Sequence, residues 1–361
     1  MSIDFSRVTE MSDKYGVITQ LELGGRVIWQ LQSGGKVVLQ VEKITSDTYA
    51  GGTTYTGEEF ILLDIYPKTN GTVKVTYGGL TKTITDTSGA EEPNAQKVYF
   101  GTFNGVSDEV ITPTRGTLTI EGDYYAFAVP VIAINKMLSA SNNCLRKIIS
   151  WGEVTKIPSY FMGHSTMSYA PTEFEDTSIN IPPSVVSIGT YAFTGLSGLE
   201  RITIGSGVTS IGDYNPFMNC FETNKIIVDS SNTAYKIDGN CLIEIATNAI
   251  IAGFTDSVIP SYVTTIKYGA FAYLDGLESI TIPASVKSID SNAFKNCPNL
   301  KTVYMLADSP PQCGGTIFDT TSLEKIVVPA GSLGKYTDKG GNDGSGKSPM
   351  YDYADYIVEE S

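Results

Sequence analysis

Apolar and polar residues alternate along the first third of this chain, which is the period of a β-strand with one face in a core. GGRVIWQLQ (24–32) and GGKVVLQVE (34–42) are near copies. Val27, Trp29 and Leu31 in one, and Val37, Leu39 and Val41 in the other, take every second place. Paired as a hairpin, the two would turn one apolar face inward. Residues 60–66, 72–77 and 80–85 continue the pattern, and Asn70-Gly71 and Gly78-Gly79 between them are hairpin dipeptides. The pattern predicts a small antiparallel sandwich over residues 1–90, of immunoglobulin-like type. DTSGAEEPNAQ (86–96) has the composition of a linker. KVYFGTF, GTLTIEG and YYAFAVPVI, between residues 97 and 140, add a second small β module or a continuation of the first.

From residue 145 onward a longer period takes over. IPPSVVSIGTYAFTGLSGL (181–199), IPSYVTTIKYGAFAYLDGL (259–277) and IPASVKSIDSNAFKNCPNL (282–300) share the pattern IPxxVxxIxxxAFxxLxxL, with Cys allowed in place of the Leu after Phe. IGSGVTSIGDYNPFMNCF (204–221) follows it loosely. Leu277, Leu300 and Leu323 are 23 residues apart, as are Ile280, Val303 and Ile326. In each unit, a piece such as LERITIG or LESITIP reads as a short strand, GVTSI or SVKSI as a second extended piece, and AF as a helix-like turn. One unit cannot bury its own apolar edge, but stacked units bury a continuous column of Ile, Val, Phe and Leu. Six or seven units fit between residues 145 and 330. TAYKIDGNCLIEIATNAIIAGF (233–254) breaks the period, with Asp238-Gly239 and Thr247-Asn248 set between apolar runs. It reads as an inserted β-meander. Residues 331–361 form a C-terminal cap with a Gly-rich loop. The expected fold is mainly β, with sandwich module(s) followed by a solenoid of about 23-residue units.

The remaining numbers narrow the function. At 361 residues the chain has room for two or three domains, and 41% hydrophobic against 18% charged residues supports real cores. The net charge of −14 repels phosphate backbones and anionic lipid, so no nucleic-acid partner is expected. The one histidine, His164, is too few for multi-His zinc chemistry. The first thirty residues hold no apolar signal-type core, and the longest apolar run, YYAFAVPVIAI (124–134), is short and interrupted by Pro130. No membrane span is expected. The chain reads as cytoplasmic, as trimmed of its signal, or as carried outside the cell as part of a larger particle. Five cysteines without a CxxC give neither a disulfide framework nor a metal knuckle.

Several stretches have a chemical look that their context weakens. GNDGSGKS (341–348) matches the phosphate-loop pattern, but KYTDKG precedes it where a strand is required, and Pro349 follows it. A flexible Gly-rich loop accounts for it, and for Lys347 within it. His164 lies in MGHSTMS with no nucleophile elbow anywhere in the chain. Asp229, Asp238 and Asp319 lie in no DxDxDG loop. Cys220 and Cys297 follow Phe217 and Phe294 by three residues, where Leu196 and Leu274 follow Phe193 and Phe271. A place that exchanges Cys with Leu is a buried apolar slot. Phe193, Phe217, Phe271, Phe294, Cys220 and Cys297 are therefore expected in the core.

The candidate binding face consists of the outward places of the repeat strands: Thr203, Ile227, Thr281, Tyr304 and Val327, flanked by Arg201, Lys225 and Lys325. Thr209, Ser210, Thr264, Thr265, Lys287 and Ser288 add a second row. Such a surface suits a protein or glycan better than a small molecule, although β-branched residues are favoured on any exposed sheet.

The units IPxSVxSIxxxAFxxCxxL and the insertion YKIDGNCLIEIATNAIIAG closely resemble the BspA-like leucine-rich repeats of bacterial surface proteins. The resemblance covers residues 145–358, including the ending VVPAGSLGKY…YADYIVEE. It implies a curved solenoid that binds partners, with no catalytic residue, and so an adhesion role in an extracellular, cell-surface or virion setting; no metal or cofactor is expected. Two other readings stand beside it. One is a phage or prophage tail-associated receptor-binding protein. The other is a hydrolase or nucleotide-binding enzyme built on His164 or on the Gly-rich loop.

Overall fold

The computed structural model describes residues 20–23, 26–30, 36–42, 44–50, 53–88, 95–103, 106–107, 115–122, 124–128, 132–134, 140–142, 145–162, 177–196, 199–220, 226–319, 321–339 and 349–360. Cys144, His164, Lys225 and the loop 341–348 lie outside the described residues.

Among the described residues the N-terminal strands form a separate two-stranded sheet, Gln20–Leu23 with Arg26–Gln30, and two large antiparallel sheets. One runs Leu145–Trp151, Val37–Glu42, Arg115–Gly122, Thr72–Tyr77, Leu80–Thr85 in spatial order. The other runs Ala140–Asn142, Ile132–Ile134, Ile44–Ala50, Thr53–Pro67, Gln96–Phe103, Val106–Ser107, with Tyr124–Ala128 also on Thr53–Pro67. Alternate residues of both sheets, among them Leu39, Leu63, Ile65, Val73, Val75, Leu118, Ile120 and Phe127, share one apolar core. Strands from residues 97–140 are thus hydrogen-bonded into the same sheets as those from 37–85. The strand Leu145–Trp151, at the start of the stretch read as repeats, also belongs there.

Two turns of the sequence reading come out differently. The near-copies at 24–42 do not pair with each other. Arg26–Gln30 pairs with Gln20–Leu23, while Val37–Glu42 is a central strand between Arg115–Gly122 and Leu145–Trp151. Alternation specifies the face a strand turns inward, not the strand that bonds along its edge. Asn70-Gly71 is a tight turn, with Asn70 at φ 54° and the Gly71 N–H donating to the Lys68 carbonyl at 2.8 Å. It carries the chain from one sheet to the other and makes no hairpin. The buried Asp86 holds it, accepting from the Asn70 N–H at 2.9 Å and from Ser88. Gly78-Gly79 does close a hairpin, with φ 57° and 83° as a primed turn requires.

The rest is a β-solenoid. A first column of short parallel strands contains Ser178–Asn180, Arg201–Ile204 and Ile226–Val228, and resumes with Ser279–Ile282, Thr302–Met305, Lys325–Val328 and Ile357–Glu359. A second column contains Lys156–Ile157, Ser187–Ile188 and Ser210–Ile211, and resumes with Thr265–Ile266, Ser288–Ile289 and Gln312–Cys313. The third side of each turn carries the phenylalanine, preceded by Ala at Phe193, Phe271 and Phe294. It is a run of turns rather than a helix, because left-handed residues sit two places before and two places after Phe193, Phe271 and Phe294, and two places after Phe217. Gly195, Asn219, Gly269, Asn292 and Asn296 fill five such places, and Tyr191 and Tyr273 fill two. Left-handed backbone costs about 1–2 kcal/mol for an ordinary side chain, and Gly and Asn escape most of it.

Inside the coil the phenylalanines stack. Phe193 and Phe217 lie at 5.9 Å, and Phe271, Phe294 and Phe318 at 5.1 and 5.4 Å, while Phe161 meets Phe193 edge-on at 5.8 Å. Both ends of the ladder are closed by aromatic rings. Phe127 and Trp151 of the N-terminal sheets pack on Phe161 at 5.1 and 5.7 Å. Tyr353 meets Phe318 edge-on at 5.2 Å, and its hydroxyl accepts the N–H groups of Ile317 and Phe318.

Between the two halves of the ladder lies a meander, Tyr235–Asp238, Cys241–Glu244 and Ala249–Ala252. Its last strand runs parallel to Thr265–Ile266 and so takes a place in the second column. Both its faces are apolar. Leu242, Ile251 and Ala252 join the core shared with the N-terminal sheets, whereas Cys241, Ile243 and Ile250 join a separate core that continues to Ile357. The meander is a wall between two cores. Where a rung of the ladder would fall, the wall has Gly253. A Cβ there would lie 2.0 Å from the Phe271 ring, so the ring rests directly on the backbone.

Candidate binding surface

Period-two alternation in the first column sends Ile202, Ile204, Ile226, Ile280, Ile282, Val303, Met305, Ile326 and Val328 inward. The residues between them face out, and parallel pairing sets them in rows. Thr203 lies between Asn180 and Ile227. Thr281, Tyr304, Val327 and Val358 follow one another in a second row. Ile227, Tyr304 and Val358 are 47%, 40% and 44% exposed, Thr281 is exposed, and Thr203 and Val327 are half-buried. Arg201 and Lys325 are exposed at the edges, opposite Ser178 and Thr302.

The structure therefore brings Tyr304 and Val327 together with Thr281, but it does not continue that row to Ile227. The meander parts the two panels. Asn180, Val358 and the exposed Leu306 complete the surface and escaped the sequence reading. Val358 could have been found from the alternation of YIVEE, which repeats the strand period after the Gly-rich loop. In the second row, several hydroxyls are used within the coil. Ser288 bonds Thr265 at 3.0 Å, and Thr264 donates to the Thr247 carbonyl at 2.9 Å.

The groups expected in the core have core surroundings. Phe193, Phe217, Phe271, Phe294, Cys220 and Cys297 are all buried. The Cys220 thiol donates to the Phe193 carbonyl at 2.7 Å, and the Cys297 thiol to the Phe271 carbonyl at 3.0 Å. Burial pushes Cys220 up to about 12 and Cys297 up to about 11, against the lowering pull of nearby backbone groups. Such thiols are neither nucleophiles nor ligands near neutral pH. Phe161 and Phe318 belong to the same ladder and were missed, because Phe161 follows Tyr160 and Phe318 follows Ile317, where the pattern asks for Ala. Among the described residues no group of three or more His, Cys, Asp or Glu side chains could hold a metal ion, and no helix is long and apolar enough to cross a membrane.

Two columns of short parallel strands, a 23-residue period and a phenylalanine turn in each unit define a leucine-rich β-solenoid. Residues 165–337 belong to the BspA-type leucine-rich repeat family, since the stretches 165–251 and 251–337 match the BspA type leucine rich repeat region in six copies. Among solved structures, the chain is similar to a leucine-rich repeat protein from Eubacterium ventriosum (18% identity, 56% of this chain and 77% of that one, TM-score 0.31). It is similar also to the pneumococcal vaccine antigen PcpA (16% identity, 48% and 66%, TM-score 0.26). A third is a leucine rich cell surface protein from Faecalibacterium prausnitzii (16% identity, 63% and 92%, TM-score 0.24). No curated protein matches the chain in sequence.

Proposed function

We propose that this chain is a non-catalytic binding protein that presents the first-column sheet surface to a protein or glycan partner at the bacterial surface, in adhesion. The carrying observation is the row Thr281–Tyr304–Val327–Val358, an exposed aromatic set among aliphatic and hydroxyl side chains on one rigid column. The inward places are taken up by core packing, so the outward rows are where partner specificity would be written. Membership of residues 165–337 in a surface-protein repeat family supports the same reading. In it, the N-terminal sheets are an immunoglobulin-like attachment module that also covers the first turn, with Phe127 and Trp151 seated on Phe161.

The test has two parts. An antibody to the solenoid is used on washed cells, culture supernatant and cytosol, and material on cells or in supernatant is expected. Tyr304→Ala is then compared with the parent chain for retention on host-protein and glycan panels, and a loss of roughly tenfold or more is expected from removal of a central aromatic. Signal confined to the cytosol overturns the surface assignment, and unchanged retention overturns the face.

A further inference from the structure

An open sheet edge is a template for another strand, and proteins blunt such edges with charge, irregular register or short length. Several edge strands here follow that rule. Leu145–Trp151 pairs with two register shifts and contains Arg146 and Lys147. Gln312–Cys313 is two residues long, and Ile357–Glu359 is three, with Asp355, Glu359 and Glu360 in or beside it. Leu80–Thr85 does not follow it. Among the described residues this strand pairs with Thr72–Tyr77 alone and ends its sheet. It runs six residues without a register shift. Its one charged side chain, Lys82, is drawn over the Tyr99 ring of the facing sheet at 4.0 Å.

The hairpin decides which backbone groups lie on the open side. A two-residue turn at Gly78-Gly79 makes Tyr77 and Leu80 a hydrogen-bonded pair, and bonded and non-bonded pairs then alternate. Thr76–Thr81, Lys74–Thr83 and Thr72–Thr85 are the non-bonded pairs. Side chains come closer in such pairs, and the hydroxyls of Thr76 and Thr81 meet at 2.9 Å and those of Thr72 and Thr85 at 3.2 Å. The N–H and C=O groups of Thr81, Thr83 and Thr85 therefore point away from the sheet. Their side chains are exposed, on the face opposite the buried Ile84.

We propose that Leu80–Thr85 joins a second copy of this chain, antiparallel, about a two-fold axis at Thr83. The edge itself selects this occupant. Thr81-Lys82-Thr83-Ile84-Thr85 reads threonine at every second place in either direction. In the antiparallel pair Thr83 faces its own copy, and Thr81 faces Thr85 of the partner subunit. Each of these pairs exchanges two backbone bonds, and the hydroxyl ladder of Thr72–Tyr77 continues across the axis. Lys82 falls opposite Ile84 of the partner subunit, so no like charges meet. The strand holds no carboxylate, so the net charge of −14 is kept off the seam. Ile357–Glu359 paired in the same way would set carboxylates against carboxylates. A six-residue seam is small, so the dimer is expected to be weak, with a dissociation constant of about micromolar order. The edge belongs to the N-terminal sheets, and the inference is independent of the Thr281–Tyr304–Val327–Val358 surface.

The test is sedimentation velocity of the whole chain from roughly 1 to 200 μM, a range that spans such an affinity. The mass is expected to rise from one chain to two. Thr83→Lys places like charges at the axis and is expected to weaken the dimer at least tenfold, with the melting temperature of the monomer unchanged. Thr83→Cys reads the register. Opposed residues of a bonded antiparallel pair have Cα atoms about 5.5 Å apart, which suits a disulfide. With oxidised glutathione, Thr83→Cys is expected to link residue 83 of one copy to residue 83 of the other, as read by peptide mapping, and Thr81→Cys is expected to give no such self-link. Three results would overturn the proposal: a single-chain mass over the whole range, an undiminished dimer in Thr83→Lys, or a dimer in which Thr83→Cys links no faster than Thr81→Cys.

Discussion

The thiol of Cys297 donates to the carbonyl oxygen of Phe271, 3.0 Å away on the preceding turn of the coil. Cys220 and Phe193 repeat the contact at 2.7 Å. The cysteines are thus apolar rungs that also satisfy a backbone acceptor. They should resist alkylation. At pH 8, iodoacetamide is expected to label Cys220, Cys241 and Cys297 in the folded chain roughly a hundredfold more slowly than in urea, because thiolate and access are both lacking. Peptide mass spectrometry after timed quenching reads the rates, and fast labelling at any of the three would show that its turn opens readily.

The same burial makes the coil sensitive to alkali. Burial raises Cys297 from 9.0 to about 11 and Cys220 from 9.0 to about 12, and raises Tyr235 from 10.0 to about 12 with help from Glu244. Each group holds its proton more tightly when folded. The stability it lends is complete below the unfolded value and is lost as pH rises through the folded value. The urea midpoint should hold steady from pH 7 to about 8.5 and fall progressively above about pH 9. A midpoint that rises across that range would contradict the buried setting of these groups.

Phe294 lies between Phe271 and Phe318 with no exposed surface. Phe294→Ala should cost about 3–5 kcal/mol of unfolding free energy. A measured cost below about 1 kcal/mol would mean that the ring is not a rung of a packed ladder.

Tyr353 closes that ladder with its ring and with a hydroxyl that serves two N–H groups. Tyr353→Phe keeps the ring and removes the acceptor, so a loss of about 1–3 kcal/mol is expected. Faster hydrogen exchange at Ile317 and Phe318 should accompany it. Unchanged exchange at both would show that the hydroxyl is dispensable.

Ile250 and Ile251 are neighbours in the chain but serve different cores. Truncation of either should cost about 2–5 kcal/mol, and the damage should fall on opposite sides. Ile250→Ala is expected to speed exchange in residues 259–328, and Ile251→Ala in residues 179–228. If both variants disturb the whole coil equally, the two cores unfold as one unit.

Much of this architecture was legible because the repeat writes its core in one dimension. Ile280, Val303 and Ile326 take equivalent places 23 residues apart, and spacing alone aligns them. The meander was legible because Asp238-Gly239 and Thr247-Asn248 punctuate runs that are apolar throughout. The partners of Val37–Glu42 were not legible, since alternation is silent about neighbours along an edge. Nor was the change of sheet at Asn70-Gly71, which depends on the buried carboxylate of Asp86 sixteen residues on. On the surface, outward places followed from period two. Their division into two panels did not, because it depends on where the meander sits. The ring contacts among Tyr160, Tyr191, Tyr214 and Tyr268 went unread for a different reason. Tyr160, Tyr191, Tyr214 and Tyr268 precede their phenylalanines by one, two or three places, and only the folded turns bring the rings into line.

The wall between the cores also decides how the chain yields to a pull. Among the described strands the first column is not paired across the meander, and only the second is, through Ala249 with Thr265 and Ile250 with Ile266. Tension along the coil concentrates at such a seam. The far block can come away there and uncoil turn by turn, while the near block stays keyed to the N-terminal sheets through Phe127 and Trp151. A coil built this way lengthens under load, and the energy of a sudden pull goes into unwinding its far block.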